Sequence, residues 1–152
     1  MNIQTQIYIA SDHAGFERKD WLKQQLIAAG YQLEDLGAAS LQPDDDYPQY
    51  GFALAERVVA EPEALGILLC GSGQGICVAA NKVKGARAVS AFSPEMAAST
   101  RNDDHANILC LPARFLSNNE ILAITTTWLT TPVSNDERHV RRVTQIQNYE
   151  IK

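Results

Sequence analysis

A cysteine stands at the lip of a glycine loop in the segment GILLCGSGQGICVAANK, residues 66–82, where Cys70 closes an aliphatic run and Gly71, Gly73 and Gly75 follow. Glycines let backbone N–H groups approach a ligand closely. A helix starting just behind them adds about half a positive charge, so the loop suits an anion or a developing oxyanion. A thiol in such a place has its pKa lowered and is partly thiolate near neutrality, which makes Cys70 a candidate base beside a preorganised anion hole. The plainer role is a small core residue ending a buried strand, and the residues alone leave both roles open. Cys77 and Cys110 fall inside a helical and a strand-like segment and take the plainer role.

Three familiar uses of a glycine loop fail on spacing. A P-loop needs GxxxxGK[ST], and Lys82 lies too far into the following helix. A dinucleotide fingerprint GxGxxG needs a glycine where Ile76 stands. A cysteine phosphatase needs an arginine at that same Ile76.

The histidines and a basic tail are the other residues with chemistry. Of three histidines, His13 follows the first strand-like segment, His105 precedes the fifth, and His139 sits in ERHVRR. Arg138 and Arg142 are four apart and share a helix face, with His139 beside them. Arginine forks bind phosphate oxygens bidentately, so this face reads as a phosphate clamp; its alternative is a solvated face paired with Asp136 and Glu137. Far along the chain from Cys70, these residues can reach it by folding back or from a second subunit.

The elements that must position these groups follow from periodicity. Strands are predicted at 7–10, in YQLEDLG, at 65–69, in RAVSAF and in ANILCL ahead of Pro112. The run at 65–69 is continuously aliphatic, as a sheet buried on both faces requires. Helices are predicted at 16–29, stopped by Gly30, and at 51–60 after a polar connection at 38–49. Further helices are expected in ICVAANKV, from Ser93-Pro94-Glu95 onward, at 117–129 and at 136–149. Strands alternating with helices imply an α/β fold with a parallel sheet covered on both faces, and ligands in such folds bind at the carboxyl ends of strands. The loops 11–15, 70–75 and 101–105 are therefore expected to gather on one edge. They hold Asp12 and His13, Cys70 and Ser72, and Arg101, Asp103, Asp104 and His105.

At 152 residues the chain has the size of one domain, taken as 1–152, with an ordinary 45% of hydrophobic and 20% of charged residues. A net charge of −5 without a basic stripe argues against nucleic acid. No apolar stretch approaches the ~20 residues of a membrane span. The N-terminal segment MNIQTQIYIASDHAG has no signal core, which points to a cytoplasmic protein. Three cysteines without a CxxC pair argue against a disulfide framework and a zinc site.

The segments ASDHAGFERK, DDDYPQY, GILLCGSGQGICVAANKVKGARA, NILCLPARFL and ERHVRR, in that order from about residue 7 to 149, resemble the ribose-5-phosphate isomerase type B family, which includes allose- and galactose-6-phosphate isomerases. The resemblance implies a Rossmann-like αβα sandwich with a five-stranded parallel sheet, forming dimers, often paired into tetramers, with each active site built across the dimer interface. It implies no metal and no cofactor. The substrate is a phosphorylated sugar: ribose 5-phosphate in the first instance, a six-carbon sugar phosphate or a non-catalytic partner subunit in the alternative. Cys70 is then the base that moves a proton between C2 and C1 through a cis-enediolate. Gly71 and Gly75 form its anion hole and Ser72 supports the proton transfer. Asp12 and Tyr47 contact the sugar. His13, Arg114, Arg138 and Arg142 bind phosphate, with Arg138, His139 and Arg142 contributed across the interface. The family usually reads R-x-H-N-D/N-x-N in its third loop, where the histidine opens the sugar ring and the asparagine holds the sugar. This chain reads Arg101-Asn102-Asp103-Asp104-His105-Ala106-Asn107, so Asp103 stands at the histidine position, Asp104 at the asparagine position, and His105 falls two places late. Ring opening thus has two candidates, His105 through a bend in the loop or Asp103 as the acid.

Overall fold

The structure is a computed structural model that describes residues 5–151. Five parallel strands, β1 (Ile7–Ser11), β2 (Leu33–Asp35), β3 (Leu65–Cys70), β4 (Ala88–Ser90) and β5 (Ile108–Pro112), form one sheet in the order β2-β1-β3-β5-β4. The helices are α1 (Phe16–Ala28), α2 (Tyr47–Ala60), α3 (Gln74–Ala80), α4 (Pro94–Asp104), α5 (Asn118–Thr130) and α6 (Glu137–Tyr149), with a single 3-10 turn at His13–Gly15. The expected α/β class and five-stranded parallel sheet are present.

Strand periodicity sorts the apolar residues into two cores. Ile7, Ile9, Leu65, Ile67, Leu69, Leu109 and Leu111 pack with Leu22, Ala97, Ile124 and Trp128 under α1, α4 and α5. The alternate residues Tyr8, Ala10, Leu68, Cys70, Ile108 and Cys110 pack with Leu54, Val58, Ile76 and Ala80 under α2 and α3. Every residue of β1, β3 and β5 is buried, as strands covered by helices on both faces must be.

Element edges differ from expectation where caps and prolines decide them. Helix α2 starts at Tyr47 rather than at residue 51, because Pro48 lies in its first turn, where a missing N–H costs nothing. Tyr47 is therefore held at a helix start, at the end of the polar connection. Ser117 and Asp136 cap α5 and α6 from outside, Ser117 in a full capping box with Glu120. Strand β5 runs through Pro112, its last residue, and β4 contracts to three residues at the sheet edge.

The larger correction concerns loop 101–105, which does not join the other two. In a parallel sheet a helix returns the chain to the amino edge, so the end of α4 lies where β5 begins. Accordingly the Asn107 carbonyl accepts from the N–H of Gly66, near the start of β3, whereas Cys70 pairs with Pro112 at the opposite end of both strands. Asp103, Asp104 and His105 thus sit at the edge away from Cys70 of the same chain.

Candidate active site

The strand order reverses between β1 and β3, and a ligand crevice is expected outside their carboxyl ends. Ser11 pairs with Leu69 there, so Asp12 and Cys70 leave the sheet side by side. A cleft of about 500 Å³ opens at this point, lined by Asp12, His13, Ala14, Tyr47, Cys70, Gly71, Ser72, Gly75, Arg114 and Phe115. Eight of the site residues expected from the sequence are in this set.

The glycine loop is shaped by its neighbours. Gly73 adopts φ +71°, open to glycine at little cost, and its N–H points at Cys70 Sγ over 3.2 Å. A sulfur that accepts an amide N–H turns a lone pair to that amide and is held in one orientation. Cys70 is buried at 3% exposure, while Ser72 is exposed at the loop tip, its Oγ accepting from Gln74 N–H at 3.2 Å. The loop is tied to the end of β5 by Ala113 N–H to the Cys70 carbonyl (2.9 Å) and Arg114 N–H to the Gly71 carbonyl (3.0 Å). A Cβ at Gly75 would lie 2.6 Å from the Tyr47 ring, and one at Gly71 would lie 3.0 Å from the Arg114 guanidinium. The glycines therefore make room for the tyrosine and the arginine at the cleft.

The first loop supplies carboxylate and imidazole. Asp12 caps the 3-10 turn, accepting from Gly15 N–H at 3.1 Å, and burial pushes its carboxyl above the ordinary range against the pull of that amide. His13 Nδ1 lies 2.8 Å from Asp45 Oδ1, and the hydrogen bond to Asp45 raises the imidazole pKa. Burial works to raise the Asp45 carboxyl, but the His13 backbone N–H, the His13 ring and the Tyr50 hydroxyl hold it below the usual value. Asp45 is the site residue that reading the sequence missed. It stands second in a run of three aspartates, of which Asp44 and Asp46 are exposed, and only the turn of the loop decides which one faces inward. Among the described residues, Asp12, His13 and Asp45 also have types and mutual distances, one ligand atom from each all within 4.8 Å, that could hold a metal ion; Asp12 Oδ1, His13 Nδ1 and Asp45 Oδ1 are engaged in hydrogen bonds here.

The remaining expected residues form a second group. Asp103 accepts from Ser99 Oγ and has Oδ1 3.7 Å from His139 Nδ1 on α6. Asp104 and Arg142 line a separate groove of about 780 Å³ between α6 and the edge strand β4. His105 ends α4 in the left-handed conformation, with φ 52°, and its Nε2 lies 2.9 Å from the Ser134 carbonyl. Arg138 is exposed, with Asp136 3.4 Å away, and His139 is buried at 7% exposure. None of Asp103, Asp104, His105, Arg138, His139 and Arg142 lines the Cys70 cleft of its own chain.

Fold and cleft together define a doubly wound α/β protein whose site presents one thiol, a glycine loop with amide donors, and cationic side chains to a small anionic ligand. The chain belongs to the Ribose/Galactose Isomerase family, whose sequence pattern matches residues 7–146, and it is an isomerase of that family. It is 46% identical over 148 residues to ribose-5-phosphate isomerase B of Mycolicibacterium paratuberculosis, covering 95% of this chain and 91% of that one. It is 43% identical over 150 residues to probable ribose-5-phosphate isomerase B of Mycoplasma pneumoniae, with 99% and 98% covered. Its fold superposes, at a TM-score of 0.93 and 39% identity, on ribose-5-phosphate isomerase B of Mycoplasma genitalium with bound ribulose-5-phosphate, with 98% of each chain covered.

Proposed function

We propose that this protein interconverts ribose 5-phosphate and ribulose 5-phosphate, with Cys70 as the base. The observation that carries the reading is the buried Sγ of Cys70, oriented by the Gly73 amide at the floor of a cleft lined by glycines on one side and His13 and Arg114 on another. On the open-chain aldose, Cys70 takes the proton from C2 and the electron pair passes to the C1 carbonyl oxygen. The resulting cis-enediolate carries its negative charge on oxygen, where the backbone N–H groups around Gly71 and Gly75 stabilise it. Ser72 relays a proton between the two oxygens, and Cys70 returns its proton to C1 to give the ketose. Asp12 and Tyr47 hold the sugar hydroxyls, and His13 and Arg114 hold the phosphate.

A homodimer completes the site. Arg138, His139 and Arg142, with Asp103 and Asp104 beside them, lie at the far edge of their own chain and serve the cleft of a second copy. Dimers can pair further into tetramers. Of the two ring-opening candidates, Asp103 is the better placed, because it faces His139 while the His105 ring is engaged by the Ser134 carbonyl. One domain over 1–152 carries the activity in the cytoplasm, with no cofactor; among the described residues no helix is long and apolar enough to cross a membrane.

The test is formation of ribulose 5-phosphate from ribose 5-phosphate by the purified protein in the presence of a chelator. Turnover supports a metal-independent isomerase. A folded protein with no turnover rejects this substrate and turns attention to six-carbon sugar phosphates.

A further inference from the structure

We propose that Asp45 is a positioning residue that fixes the His13 ring so that Nε2 is presented as a hydrogen-bond donor to the phosphate group in the Cys70 cleft. The inference rests on the sugar-phosphate reading above for the identity of the anion, and on geometry for the rest.

Asp45 Oδ1 accepts twice from the same residue, from the His13 backbone N–H at 2.9 Å and from Nδ1 at 2.8 Å. Its other oxygen accepts from the Tyr50 hydroxyl at 2.9 Å, on the first turns of α2. Both carboxylate oxygens are thereby held, and the side chain is only 5% exposed, while that of His13 is 33% exposed and lines the cleft. The carboxylate places one ring proton on Nδ1 and leaves Nε2 as the ring's other polar atom.

The chemistry at Nε2 depends on the charge. A neutral ring with its proton on Nδ1 offers a lone pair at Nε2, which repels a phosphate oxygen; only the imidazolium offers an N–H there. Asp45 favours that cation, its hydrogen bond being the main cause of the raised His13 pKa. Burial opposes it, Asp12 adds to it and Arg114 works against it. Tyr47 and Cys70 line the same cleft as the ring, and Glu17 and Arg18 of α1 line the adjoining cavity with His13. An exposed imidazole without Asp45 titrates near pH 6.5 and is mostly neutral at physiological pH.

The experiment follows the ring resonances of the three histidines by NMR against pH, assigned with His13→Gln, and measures the affinity of inorganic sulfate by calorimetry across about pH 5.5 to 8.5. Sulfate is a tetrahedral dianion whose own charge is constant over that range. In the native protein, affinity falls as pH rises through the His13 midpoint. Asp45→Asn keeps an acceptor for both N–H groups but removes the charge. It should shift the midpoint down and weaken sulfate binding near neutrality about tenfold, the size of one hydrogen bond to a charged group. Tyr50→Phe leaves the carboxylate more basic, so its midpoint stays at or above the native one. An unmoved midpoint in Asp45→Asn, an equal fall in Tyr50→Phe, or native sulfate affinity in His13→Gln each overturns the proposal. If the shifts appear and ribose 5-phosphate is not converted, the isomerase reading fails and the anion site stands; turnover with an unmoved His13 rejects the role of Asp45 alone.

Discussion

The N–H of Gly73 lies on Sγ of Cys70 at 3.2 Å, closing a turn in which the residue that ends β3 is held by the residue that precedes α3. The contact joins the candidate base to the segment proposed as the anion hole, so the two cannot drift apart without breaking the loop. Cys70→Ala removes the proton acceptor from a site whose backbone is otherwise fixed by Ala113 and Arg114. Turnover should fall by at least about a thousandfold, within the range for loss of a general base, while the melting temperature changes little. A residual rate near the native one, measured as ribulose 5-phosphate formed, would reject Cys70 as the base.

Two glycines of the loop should respond differently to the same change. At Gly73 a Cβ would lie 2.9 Å from the backbone of Leu111 and Pro112, at φ +71°, so Gly73→Ala should cost about 2 kcal/mol of stability together with activity. At Gly75 the Cβ would meet the far end of the Tyr47 side chain, which can swing away. Gly75→Ala should leave the melting temperature nearly native and raise KM. Equal stability losses in denaturant titrations would refute the distinction.

The proposal that each site is shared between two chains is tested by mixing. Cys70→Ala and Arg142→Ala chains are each expected to be poorly active, the second through phosphate binding. Refolded together in equal amounts, half of the dimers are mixed and each mixed dimer carries one intact site, so about a quarter of native activity should return. No recovery would place the arginine and the cysteine in the same chain's site.

Asp103 and His105 separate by mutation. His105 sits at φ 52°, where glycine is at ease, and its ring is bound to the Ser134 carbonyl. His105→Gly should keep turnover within about threefold and lose up to about 1 kcal/mol of stability with that hydrogen bond. Asp103→Asn should lower turnover about a hundredfold if it opens the ring. The comparison uses initial rates from ribose 5-phosphate, and the reverse order would exchange the two roles.

Lys19 is fully buried and its Nζ donates to Asp35 Oδ1 at 2.8 Å and to the Ala38 carbonyl at 2.7 Å, pinning β2 and the loop that leads to Asp45 and Tyr47. Asp35→Asn leaves that ammonium without its charge partner and should cost about 3 kcal/mol. Burial acts to raise the Asp35 carboxyl, yet Lys19 and Lys23 bring it below its ordinary 3.8. A depressed carboxyl gives stability that is present above the unfolded value and lost as pH falls through the folded one. Native and Asp35→Asn unfolding curves should therefore converge below about pH 4; a gap that persists in acid would assign the loss to packing.

Local rules were enough to read the alternating pattern of this chain, because aliphatic runs, caps and the glycine loop act over a few residues. The Cys70 block, the first loop with Asp12 and His13, and the five parallel strands were all legible that way. Which of three aspartates meets His13 was not, since that depends on how residues 38–46 cross from β2 to α2. Nor was the separation of Asp103, Asp104 and His105 from Cys70. Spacing along a chain records that a loop adjoins a strand; in a parallel sheet the strand's direction decides which edge that loop occupies, and the packing of α6 against α4 then decides that Asp103 meets His139.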